Sequence, residues 1–165
     1  MPKYSLLIAV LLLGAGVRPP KETPPSHLVG TWQLVSRLDR DSNGHLLTEP
    51  SLGTDPKGFL IYDAAGHVTA QLMARTRAAA PCAVTASAEA NSPAHISGYE
   101  AYFGRYEVDS ATGTVTHLVE GALSQSDVGR RLTRRFHIVN DTLTIQFEPG
   151  SPGHTRTLVW RRVSP

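Results

Sequence analysis

Residues 27–36 read HLVGTWQLVS, and they mark the point where a proline-studded lead-in gives way to an alternating apolar pattern. Along GTWQLVSRL, Trp32, Leu34 and Leu38 fall on one side while Thr31, Gln33 and Arg37 fall on the other. A period of two with one apolar side predicts a half-buried β-strand. The strand also carries a large aromatic two places after a glycine, very close to its start.

Upstream, RPPKETPPS holds four prolines, which forbid helix and favour an extended, solvated tether over residues 17–26. Before it, Lys3, the apolar run SLLIAVLLLGAGV and the small residues Gly14-Ala15-Gly16 have the layout of a secretory signal over residues 1–16. That run is shorter than the roughly 20 residues a bilayer span needs, so the mature chain is expected to carry no membrane span. These features predict an exported protein, periplasmic or secreted, with its folded domain over residues 27–165.

Downstream, Asn43-Gly44 supplies turn chemistry after the first strand. GFLIYD and HVTAQLM, joined by Ala64-Ala65-Gly66, predict a tight hairpin. From Arg75 to about Ala94 the chain is alanine-rich and patternless, and Ser92-Pro93 can start a short helix on which Ile96, Tyr99 and Phe103 fall at helical spacing. The expectation there is a short helix or lid between the third and fourth strands. AYFGRYEVD, GTVTHLVEGAL, RLTRRFHIV, TLTIQFE and TRTLVWRRV then follow as further strands. About eight antiparallel strands with hairpin-type turns predict an all-β fold, either an up-and-down barrel or a sandwich.

Composition narrows the function classes. The net charge is +2 with histidines neutral, and loss of Lys3 with a signal leaves 15 basic against 14 acidic side chains, which gives no electrostatic footprint for nucleic acid. Cys82 is the only cysteine, so no internal disulfide can form. Its neighbours in AAAPCAVTAS offer no base or cation to activate it as a nucleophile. No pair of the seven histidines has metal-ligand spacing with a third ligand nearby, and no cofactor fingerprint or Gly-x-Ser-x-Gly elbow occurs. Neither a metal nor a cofactor is therefore expected.

Gly30-Thr31-Trp32 resembles the Gly-x-Trp start of lipocalins, in which the tryptophan closes the barrel floor and an arginine of the last strand stacks over it. LVWRRV offers Arg161 and Arg162 for that stacking, and Arg162 is the preferred choice. The order of LVGTWQLVS, DPKGFLIYDAAGHVTAQLM, YEAYFGRYEVD, GTVTHLVEGAL, RRFHIVNDTLTI and LVWRRV is similar to the lipocalin-like domain family of bacteria and fungi, and covers most of the chain from Leu28 to Val163. The resemblance implies a barrel, with no particular activity. It does not extend to the Asp-Tyr motif of other lipocalins, nor to the stretch from Arg77 to Ala90.

Strand parity selects the candidate site residues. Val115, His117 and Val119 share one face, which the valines turn inward, so His117 must find a hydrogen-bond partner or a ligand in an apolar interior. Glu120 lies three residues on and is expected on the opposite face, reaching solvent or a cross-strand arginine. Arg134 lies in line with Leu132, Phe136 and Ile138 and must meet a carboxylate, an acidic ligand or the barrel mouth. Tyr102 and Tyr106 share a face, and Tyr62 and Gln71 lie in phrases like those of the family, although either side of HVTAQLM can be argued to face in. Aromatic bodies with polar tips suit a pocket that orients a mostly apolar molecule.

Two functions follow. One is binding of a small, largely hydrophobic molecule inside the barrel by Tyr62, Gln71, Tyr102, Tyr106, His117 and Arg134. The other is an isomerase or cyclase that confines a flexible substrate in the same cavity, with His117 or Tyr106 moving a proton.

Overall fold

A computed structural model describes residues 27–48, 51–77, 98–149 and 152–163 of the chain. The expected signal, tether, Cys82 and the helix starting at Ser92-Pro93 lie outside the described residues. Nine strands run β1 (Gly30–Arg40), β2 (Leu46–Leu47), β3 (Lys57–Tyr62), β4 (His67–Met73), β5 (Tyr99–Asp109), β6 (Thr114–Ala122), β7 (Arg131–Val139), β8 (Thr142–Phe147) and β9 (Thr155–Arg162). Every neighbouring pair is antiparallel, and β9 returns to pair with β1. The result is a closed eight-stranded up-and-down barrel, with the two-residue β2 laid against the end of β1. Closure leaves no long unpaired edge among the described strands. Among the described residues no helix is long and apolar enough to cross a membrane.

The strands lie where alternation and turn residues put them. Asn140-Asp141 joins β7 to β8 as a two-residue loop, with Asn140 in the left-handed region that such turns require (φ 52°). Two expectations need correction. Tyr99 and Phe103 belong to β5 and not to a helix, because a spacing of four is also an even spacing along a strand.

The second correction concerns β1. Its ladder with β9 runs to Leu34 opposite Trp160 and resumes at Ser36 opposite Val159, so Val35 is bulged out of register. A bulge adds one residue and reverses the faces beyond it. Trp32 and Leu34 point inward as expected, but past the bulge Arg37 and Asp39 are buried while Leu38 is exposed. The core is the barrel interior, built on Trp32, Leu60, Tyr62, Tyr106, Val115, Leu143, Ile145 and Trp160.

Candidate functional site

At the closed end of the barrel Trp32 is fully buried, and its indole N–H donates to the Leu28 carbonyl at 3.0 Å. The Arg162 guanidinium lies 4.0 Å from the Trp32 ring centre and donates to the carbonyls of Val29 (2.8 Å) and His27 (2.6 Å). The glycine of Gly-x-Trp now has a physical reason. A Cβ on Gly30 would come within 2.5 Å of an Arg162 nitrogen, and its φ of 144° is one that side-chain-bearing residues rarely adopt. Tyr106 completes this floor by donating to the Asp63 carbonyl at 2.8 Å. Burial, followed by the nearby Asp63 carboxylate, pushes its hydroxyl pKa up to about 12.

Above the floor, β3, β5 and β6 bring Tyr62, Tyr102 and His117 together. The fully buried His117 ring has both nitrogens engaged, Nε2 with the Tyr62 hydroxyl and Nδ1 with the Tyr102 hydroxyl, each at 2.7 Å. Burial first, and the Arg134 charge second, hold the His117 pKa well below its ordinary value, so the ring is neutral and has one N–H and one lone pair. Burial likewise raises the pKa of Tyr62 and Tyr102, so both phenols keep their protons. Among the described residues Tyr62 has no other hydrogen-bond partner. The arrangement that strands no buried proton has Tyr62 donating to Nε2 and Nδ1–H donating to Tyr102. The Tyr102 hydroxyl proton is then left over, and Tyr102 is in the wall of the cavity above.

That cavity has a volume of about 680 Å³ and opens at the end opposite Trp32. Leu60, Ala70, Leu72, Ile145, Leu158 and Trp160 form its apolar wall, while Tyr102, His117 and Arg134 supply polar groups. Trp160 also carries a buried indole N–H with no acceptor among the described residues. Arg134 points inward, 4.5 Å from the Phe147 ring centre and 6.0 Å from that of Tyr102, and donates to the Leu132 carbonyl at 3.0 Å. Its expected structural carboxylate is absent among the described residues. The other guanidiniums bordering the cavity each hold one: Arg37 and Arg156 share Asp39 at 2.8 and 2.5 Å, Arg130 holds Asp127 at 2.7 Å, and Arg131 holds Glu107 at 2.9 Å.

The structure thus gathers Tyr62, Tyr102, His117 and Arg134 in one half of the interior. Gln71 is a correction: Val68, Ala70 and Leu72 take the inner face of β4, and Gln71 is exposed on the outer one. Tyr106 points inward but lies at floor depth, outside the cavity wall. Glu120 is on the outer face, 3.0 Å from Arg105. Sequence reasoning missed the Arg37–Asp39–Arg156 cluster. Arg156 shares the parity of the buried Trp160 and was readable, whereas Arg37 and Asp39 were hidden by the bulge.

The lipocalin-like domain family matches this sequence over residues 29–163. The chain belongs to that family. Two solved structures resemble this lipocalin-like domain. The lipoprotein YedD from Klebsiella pneumoniae is 11% identical, with 88% of this chain and 79% of that chain covered at a TM-score of 0.43. A mutant of the fluorescent protein UnaG is 10% identical, with 83% of this chain and 96% of that chain covered at a TM-score of 0.40. No curated protein matches the lipocalin-like chain.

Proposed function

We propose that this lipocalin-like domain is an exported binding protein that holds a small, largely hydrophobic molecule inside its barrel. The carrying observation is the cavity: about 680 Å³, walled by apolar side chains, with Tyr102, His117 and Arg134 on one flank. Small-molecule sites usually occupy about 300–1,000 Å³ and use a few polar groups to orient an otherwise apolar ligand. Tyr62 serves the site indirectly, by holding the His117 ring whose other nitrogen holds Tyr102. The test is fluorescence of the neutral apolar probe N-phenyl-1-naphthylamine. Binding to the wild-type chain and its loss in the cavity-filling variant Leu132→Trp, with the circular dichroism spectrum preserved, supports the reading. Equal binding by both contradicts it.

One observation favours a catalytic variant of this reading. The hydrogen-bonded run Tyr62–His117–Tyr102 ends on a hydroxyl in the cavity wall, so proton transfer to a confined substrate would pass through Tyr102. His117 itself has no free nitrogen. In that case Tyr102→Phe removes turnover while substrate binding persists. Export rests on residues 1–16, and the intact mass of the protein from its host checks it: a chain starting at residue 17 or beyond supports export, and a full-length chain counts against it.

A further inference from the structure

The polar flank of the cavity is unbalanced in one direction. Arg134 has five N–H donors, of which one bond, to the Leu132 carbonyl, is answered among the described residues. The Tyr102 hydroxyl accepts from His117, and its own proton is without an acceptor among the described residues. Trp160, in the same wall, adds a buried indole N–H that likewise lacks one. Every one of these unanswered groups is a donor, and one of them carries a positive charge. Of these groups only the Trp160 N–H is sealed from solvent, while Arg134 and Tyr102 are half-buried and open to the cavity, so a ligand that displaces solvent there must bring acceptors or leave donors unpaired at a cost of about 1–3 kcal/mol each, more for the charged one.

Resting on the reading of the cavity as a ligand site, we infer that the ligand is an apolar acid whose carboxylate is held by Arg134 and Tyr102. The planar fork of a guanidinium fits a carboxylate with two parallel bonds, and the phenol adds a third donor. Arg134 lies 6.0 Å from the Tyr102 ring, so both groups border the same volume. The neighbouring arginines already engage carboxylates, Arg37 and Arg156 sharing Asp39, Arg130 holding Asp127 and Arg131 holding Glu107, so Arg134 is the guanidinium of the wall left without one among the described residues. The aliphatic remainder of the acid would lie against Leu60, Leu72, Ile145 and Leu158.

The experiment compares dodecanoate with 1-dodecanol, which has the same chain and no charge, as competitors of N-phenyl-1-naphthylamine on the purified full chain. Dodecanoate is expected to displace the probe at least about tenfold more tightly, as befits charge-assisted bonds. Arg134→Leu should remove that preference by weakening dodecanoate far more than dodecanol. Arg134→Lys should keep part of it, and Tyr102→Phe should reduce it. The Lys variant also serves if the Leu variant does not fold. Equal binding of acid and alcohol overturns the acid assignment and leaves the cavity reading standing. A preference that survives Arg134→Leu overturns the role of Arg134 and moves the carboxylate to the mouth. Failure of the probe itself to bind overturns both.

Discussion

The two ends of the barrel are made of similar side chains and treat them differently. At the floor an arginine, a tryptophan and a tyrosine each find a backbone carbonyl: Arg162 those of Val29 and His27, Trp32 that of Leu28, Tyr106 that of Asp63. In the cavity a second set, Arg134, Trp160 and Tyr102, has donors to spare among the described residues. A satisfied set rigidifies and contributes to stability, while an unsatisfied one forgoes stability and leaves room for a partner. The contrast separates residues that hold the fold from residues available for function.

The largest way to break the contrast is at the floor. Trp32→Ala removes a fully buried indole, its hydrogen bond and the surface on which Arg162 lies, and should cost about 3–5 kcal/mol in urea unfolding. The sharper comparison is between the two arginines. Arg162→Met should cost about 1–3 kcal/mol through lost charged hydrogen bonds and the cation–π contact. Arg134→Leu should stay within about 1 kcal/mol of the wild type, because no carboxylate is orphaned when it goes. Equal losses at the two positions would remove the distinction.

A separate effect is a pH dependence of the Tyr62–His117–Tyr102 run. The folded pKa of His117 is depressed by burial, so the unfolded chain binds the extra proton more readily. Stability from this group is present above its ordinary value of 6.5 and declines as pH falls below it. Melting temperatures between pH 7 and 5 should show that decline, and His117→Gln should flatten it. A slope unaffected by the substitution would place its origin in other groups.

Most of the fold was legible because strands announce themselves by alternation and turns by their own chemistry, as at Asn140-Asp141 and Ala64-Ala65-Gly66. His117 and Arg134 were legible as inward-facing for the same reason, each aligned with apolar neighbours two residues away. Three features were not. The bulge at Val35 depends on the pairing of β1 with a strand more than a hundred residues away, so its reversal of Arg37 and Leu38 leaves no local mark. Gln71 lies on a strand with mixed faces, where packing of Ala70 and Leu72 in the interior decides the side. Tyr106 has the right face but the wrong depth, since four residues along a strand displace it by roughly 13 Å from Tyr102. Parity gives direction, and depth comes only with closure of the barrel.

The two tryptophans place one reporter in each region, Trp32 in the floor and Trp160 in the cavity wall, and the chain has no others. The most direct measurement is a ¹H–¹⁵N spectrum of their indole N–H groups during titration with dodecanoate. The account predicts that the Trp160 signal moves to saturation while that of Trp32 stays in place. A shift confined to Trp32, or no shift in either at concentrations that saturate binding, would contradict it.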